Sequence, residues 1–171
     1  MKIFNEIQPT EIGENTFHLI GKDWMLITAT DKNGKTNTMT ASWGFFGVLW
    51  NLPVSVCFIR PQRYTFNFVE EAEHISLSFL GEEHRDALKL CGTKSGRDID
   101  KISEAGLTLR YDENKIPYFD EAKMVILGKK LYTDMIKKDG FINKELLKNY
   151  PIDDFHKVYI CEIEKVLEQK K

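Results

Sequence analysis

The sequence predicts a mainly β fold, a closed or nearly closed antiparallel barrel with helices inserted between its strands. Three observations predict it. Apolar and polar residues alternate with a period of two through most of the first third. The strand-like runs there are joined by tight turns, which makes neighbours antiparallel. Helical patterns then interrupt the strands without alternating regularly with them, and no GxGxxG follows a strand, which disfavours a doubly wound parallel sheet. Closing the sheet into a barrel removes exposed edges and suits this order.

The elements follow in order. Thr16–Gly21 and Trp24–Asp31 read as strands, and Asp31-Lys32-Asn33-Gly34 holds the Asn-Gly signal of a hairpin turn. Thr36–Trp50 and Pro53–Arg60 continue the sheet across a short connection, with Pro53 at a strand start where a missing donor is tolerated. Past Arg60-Pro61 the period changes: RYTFNFVEEAE sets Phe66, Val69 and Ala72 along one helical side. His74–Leu80 is a strand, Glu82–Gly92 a helix stopped by its glycine, and RDIDKISEAG a further helix with Ile99 and Ile102 inward. Leu107–Tyr111 and Ala122–Met135 return to strand, Asn143–Tyr150 is a short helix stopped by Pro151, and Phe155–Gln169 is a last strand. In that strand Val158, Ile160, Glu162 and Glu164 alternate with Tyr159, Cys161, Ile163 and Lys165.

Composition bounds the function. The 171 residues make one domain, 1–171. A chain of this size buries roughly 70% of its unfolded surface and needs no staples. A net charge of −2, from 24 basic and 26 acidic residues, favours neither nucleic acid nor an anionic membrane. No apolar run reaches the length of a membrane span, and MKIFNEIQPTEIGENTF has no signal core, so the expected location is the cytoplasm. Cys57, Cys91 and Cys161 form neither a disulfide framework nor a metal motif and read as buried thiols. Cys91 adjoins a candidate loop. His84 and His156 stand among acidic neighbours and read as parts of solvated charged faces. No Ser/His/Asp or Cys/His set stands out, so any redox chemistry would rest on a cofactor.

Three segments point to a ligand. In NTMTASWG, Thr38, Thr40 and Ser42 share one side of a strand and Asn37, Met39, Ala41 and Trp43 the other. Small hydroxyls and backbone amides match the alternating donors and acceptors of a flavin's pyrimidine edge. In IRPQRYT, Arg60 and Arg63 are phosphate-suited forks, and Tyr64 and Thr65 open the next helix, whose free N–H groups favour an anion. In CGTKSGRD, two glycines, the hydroxyls of Thr93 and Ser95, and Lys94 compose an anion nest without the spacing of a nucleotide P-loop.

Taken together and in this order, NTMTASWG, IRPQRYT and GTKSGRD resemble the flavin reductase-like, FMN-binding split-barrel family, with the flavoredoxin-type proteins as the nearest branch. The resemblance covers about residues 10–165. It implies a six-stranded Greek-key barrel and a homodimer with FMN near the subunit interface. It also implies that Asn37, Thr38, Met39, Thr40, Ala41, Ser42 and Trp43 lie along the flavin ring and ribityl chain. Arg60, Gln62 and Thr65 would contact the phosphate or ribityl group, with Arg63 and Tyr64 in the same turn. Thr93, Lys94 and Ser95 would close over the phosphate side, with Cys91 and Gly92 as further cofactor-binding candidates in the same loop. Two functions fit this pattern. One is an NAD(P)H-dependent flavin reductase, with the nicotinamide as transient co-substrate and free flavin, oxygen or a protein as acceptor. The other is a non-enzymatic FMN-binding electron carrier.

Overall fold

In the computed structural model, which describes residues 2–170, one antiparallel sheet supplies most of the architecture. Its strands are β1 (Phe4–Ile7), β2 (Met25–Thr30), β3 (Thr36–Ala41), β4 (Gly44–Leu49), β5 (Leu52–Ile59), β6 (His74–Leu80), β9 (Ala122–Met135) and β10 (Lys157–Gln169). A small hairpin, β7 (Leu109–Tyr111) with β8 (Pro117–Phe119), stands apart. The helices are α1 (Thr16–His18), α2 (Tyr64–Glu71), α3 (Arg85–Thr93) and α4 (Lys101–Glu104). The strand path is β3-β2-β6-β9-β10-β5-β4. Seven strands in succession, with β1 added against β10, stand where the resemblance implied six. The barrel is split: β3 and β4 end the path on opposite sides, although only Ser42 and Trp43 separate them in the chain.

Two apolar clusters hold the sheet. The inner one gathers Met25, Ile27, Met39, Ile59, Leu77, Phe79, Ile126 and Tyr159, with Phe68 and Val69 of α2. The outer one packs Leu88 and Cys91 of α3 with Leu26, Val125 and Leu127, and the β7–β8 hairpin adds Tyr118 and Phe119. The expected alternation of β10 holds through Tyr159, Cys161 and Ile163, which are buried. A register shift between Ile163 and Lys165 then changes phase, so that Val166 turns inward. Cys57, Cys91 and Cys161 are all buried free thiols, as read from their surroundings. Among the described residues no helix is long and apolar enough to cross a membrane.

Several expectations change. Thr16–Gly21 is not a strand. Asn15 accepts hydrogen bonds from the backbone N–H groups of Phe17 and His18, and this cap starts a helical turn that continues through Asp23. Thr36–Trp50 is two strands, and the β4–β5 hairpin turns at Trp50-Asn51, both with positive φ as a type I′ turn requires. In α2 the buried face is Thr65, Phe68 and Val69, with Phe66 only partly covered. The helix expected over 97–106 shrinks to Lys101–Glu104, capped by Asp100, and Asn143–Tyr150 contributes a 3-10 segment over Lys144–Asn149. β1 and β8 were not anticipated.

The glycine at the split is required. A Cβ on Gly44 would lie 2.6 Å from the Val56 carbonyl oxygen, because β4 begins hard against β5. Any side chain there would pry the two strands apart next to Trp43.

Candidate functional site

The split leaves an opening where the end of β3 meets the end of β5. A cavity of about 270 Å³ lies there, walled by Met39, Thr40, Ala41, Ser42, Trp43, Phe58, Arg60, Arg63 and His156. Ser42 and Trp43 also border a second hollow of about 590 Å³ that reaches Phe17, Phe45 and Phe46. Together the two suit a drug-sized planar ligand. Trp43 stands between them, partly exposed, its ring centroid 5.0 Å from that of His156.

The structure brings Met39, Thr40, Ala41, Ser42, Trp43, Arg60 and Arg63 to this cavity and sorts the other expected residues differently. Thr38 is fully buried, its hydroxyl 2.9 Å from that of Thr28 and donating to the Ile27 carbonyl. Thr40 donates to the Leu88 carbonyl of α3 at 2.6 Å. In place of a free row of hydroxyls along β3, two of the three therefore brace the sheet against its own neighbours. Asn37 is buried and donates to the Thr65 hydroxyl, which is itself buried, at 2.9 Å. That bond fixes the first turn of α2 to β3. The Thr93 hydroxyl turns back to the Lys89 carbonyl, Ser95 accepts from the backbone of Arg97, and Lys94 is exposed. Gly92 packs against Thr40, and Tyr64 packs edge-on to Phe68.

The arginines divide. Arg60 pairs with the Asp154 carboxylate and donates to the Asn149 carbonyl at 2.9 Å, and Gln62 donates to the same carboxylate at 2.7 Å. Burial alone would raise the Asp154 carboxyl, but the bonds from Arg60 and Gln62 hold it below the usual range. Arg63 makes no ion pair among the described residues. Among the described residues its guanidinium has one hydrogen-bond partner, the Cys91 carbonyl, at a long 3.5 Å. Burial, and then Arg60 beside it, push its pKa below the ordinary arginine value. α2 starts at Arg63 with no side-chain cap. A half-buried guanidinium without a counter-charge, at an uncapped helix start, is the arrangement an anionic group would complete.

Phe58 and His156 line the cavity without having been singled out. Phe58 was legible, since it lies two residues before Arg60, which directly follows the end of β5, and so on the same side. His156 corrects the reading of a solvated face: it is 8% exposed, and its Nδ1 lies 3.0 Å from the Tyr150 hydroxyl. Residue type alone does not signal this, because Phe58 and Trp43, both far away in the sequence, complete the cover that Tyr150 begins.

Burial, then the charge of Arg60, lower the His156 pKa to about 4, against the opposing pull of Asp154. The free imidazole titrates near 6.5, so the folded state disfavours the proton. The stability held by neutral His156 is complete above about pH 6.5 and is lost as pH falls toward 4. Melting curves between pH 7 and 4.5 are expected to steepen on the acid side, and His156→Gln to flatten that slope. Parallel curves for the two proteins would refute the assignment.

Fold and cavity together define a flavin-type split barrel, and comparison with known proteins agrees. Residues 17–171 match the family described as "Flavin reductase like domain", and the chain belongs to that family. Among solved structures, it resembles the FMN-binding domain of a flavin reductases-like enzyme from Shewanella baltica OS155 at TM-score 0.70 and 13% identity, covering 98% of this chain and 78% of that one. It resembles the flavoredoxin of Desulfovibrio vulgaris (Miyazaki F) at TM-score 0.66 and 21% identity, covering 91% and 74%. It also resembles an FMN-binding protein from Thermus thermophilus, solved with bound p-hydroxybenzaldehyde, at TM-score 0.67 and 18% identity, covering 86% and 72%. No curated protein matches.

Proposed function

We propose that this protein binds FMN in the cavity at the split and acts as an NAD(P)H-dependent flavin reductase. The observation that carries the reading is Arg63, a cation without a counter-ion among the described residues, lining one cavity with residues 39–43 at and beyond the end of β3. Arg63 and the first turn of α2 would hold the phosphate, and the backbone of Met39 to Ser42 would face the ring edge. Bound FMN supplies the acceptance of a hydride from the nicotinamide and its release to an acceptor. The chain's part is to orient and to enclose. Phe58 and Trp43 exclude water from two sides, and His156, held neutral, adds a polar group without a charge.

The test is spectroscopic. Purified protein is expected to take up FMN, and its visible absorbance to bleach on anaerobic addition of NADH or NADPH, with steady-state turnover when an acceptor is added. FMN uptake with no bleaching by either nucleotide, but with bleaching by a reduced protein partner, would replace the reductase by an electron carrier. No uptake of FMN would end both readings.

The family resemblance also motivates a homodimer, and the surface supports it. β4 ends the sheet; it exposes Phe45 and Val48, the latter 79% exposed, and the turn after it exposes Trp50. An unpaired apolar edge of this kind is covered in stable proteins. Light scattering is expected to return twice the chain mass, and a monomer at micromolar concentration would sink the dimer.

A further inference from the structure

A third cavity, of about 470 Å³, shares no lining residue with the two hollows at the split and has no part in the reading above. It is bordered by the start of β3, the loop from Gly96 into α4, and β7. Its two sides differ in chemistry. Ile99, Ile102, Leu109 and the half-exposed ring of Tyr111 make one side apolar. Lys35, Arg97 and Lys101 make the other side basic.

None of these three cations makes an ion pair among the described residues, and each finds only neutral partners. Lys35 reaches the Tyr64 hydroxyl at 3.5 Å, Arg97 the Gln62 carbonyl at 3.4 Å, and Lys101 the Cys91 carbonyl at 3.1 Å. Lys101 is 3% exposed, and burial brings its pKa down to about 8. Burying a lone ammonium costs free energy that this carbonyl alone does not return. Two carboxylates border the same space. Asp100 spends its oxygen on the N–H groups of Ile102 and Ser103 at the start of α4, and Asp98 is exposed at the rim. The interior keeps an excess of positive charge.

One atom links a cation of the first cavity to a cation of this one: Arg63 and Lys101 both donate to the Cys91 carbonyl oxygen. A phosphate held by Arg63, as the proposed function has it, therefore lies next to a second cation set with an apolar wall behind it. We infer that this cavity receives a 5′-adenylate group, the purine against Tyr111 and Ile102 and the phosphate on Arg97 and Lys101. Apolar and aromatic surface suits a planar base, and an arginine fork with an ammonium suits a phosphate. Adenylate is the half that FAD and the nicotinamide dinucleotides share, and either source satisfies the geometry.

The probe is 5′-AMP, titrated by calorimetry into the purified chain, with FMN titrated into the same preparations. AMP is expected to bind, and Arg97→Ala and Lys101→Met each to weaken it roughly tenfold, the loss expected for a hydrogen bond to a charged group. Lys101→Met is also expected to raise the melting temperature, because it removes a desolvated charge, which separates loss of a ligand contact from damage to the fold. Should that variant not fold, the exposed Arg97 carries the test alone. Displacement of AMP by FAD names flavin dinucleotide as the source, and displacement by NADH or NADPH names the nicotinamide nucleotide. Displacement by neither, one-for-one displacement by FMN, unchanged affinity in both variants, or no AMP binding would each overturn the assignment. AMP binding without FMN binding would defeat the flavin reading and leave this cavity's assignment standing. FMN binding without AMP binding would do the reverse.

Discussion

Replacing Arg63 by alanine is expected to weaken FMN about 10- to 100-fold, which corresponds to the roughly 1.5–3 kcal/mol of a hydrogen bond to a charged group. The melting temperature of the flavin-free protein should hardly move, because Arg63 contributes only a 3.5 Å contact to the Cys91 carbonyl and sits beside the like charge of Arg60. Arg60→Ala gives the contrasting pattern. It removes the partner of Asp154, whose Oδ1 already lacks a hydrogen bond among the described residues, so its main effect falls on stability. Titration of flavin fluorescence against both variants, with melting curves alongside, checks the division. Equal affinity in Arg63→Ala and the parent protein would remove Arg63 from the site.

The largest stability effect is expected at Phe79. It is fully buried on β6 and meets the Phe46 ring edge-on at 5.9 Å, joining the centre of the sheet to its end strand β4. Phe79→Ala leaves a cavity that the barrel wall cannot close, at a cost of about 3–5 kcal/mol. For a chain of this length that is roughly 6–20 °C in melting temperature. Phe17→Ala, at an exposed site, is the control and should stay within about 0.5 kcal/mol. Thermal unfolding followed by far-ultraviolet circular dichroism measures both. A Phe79→Ala protein that melts with the parent would mean that β4 does not depend on this contact.

How far the fold was legible depends on where each signal lies. β5, β6, β9 and β10 were legible because an alternating or fully apolar run carries its own face, as Tyr159, Cys161 and Ile163 do. Thr16–Gly21 misled because Phe17 and Leu19 alternate like a strand, whereas the Asn15 cap decides the local backbone. β1 is four residues long and exists through its pairing with the end of β10, a partner far away in the sequence. The same division holds at the site. Arg63 and the Met39–Trp43 strand end could be named from residue type and order. That Asp154 would occupy Arg60 and that Phe58 and Trp43 would cover His156 are matters of long-range packing, and no local pattern encodes them; Thr38 is spent on Thr28 across its own hairpin.

The split between β3 and β4 bears on which ligands the protein can admit. The two end strands share no ladder, and Ser42-Trp43 is the short covalent strap across the gap. A wider mouth therefore requires no interstrand hydrogen bond to break, only side chains such as Trp43 and Phe46 to repack. The size of an acceptable guest is then set by soft contacts that single substitutions can retune, while the stiff ladders behind them keep the barrel intact.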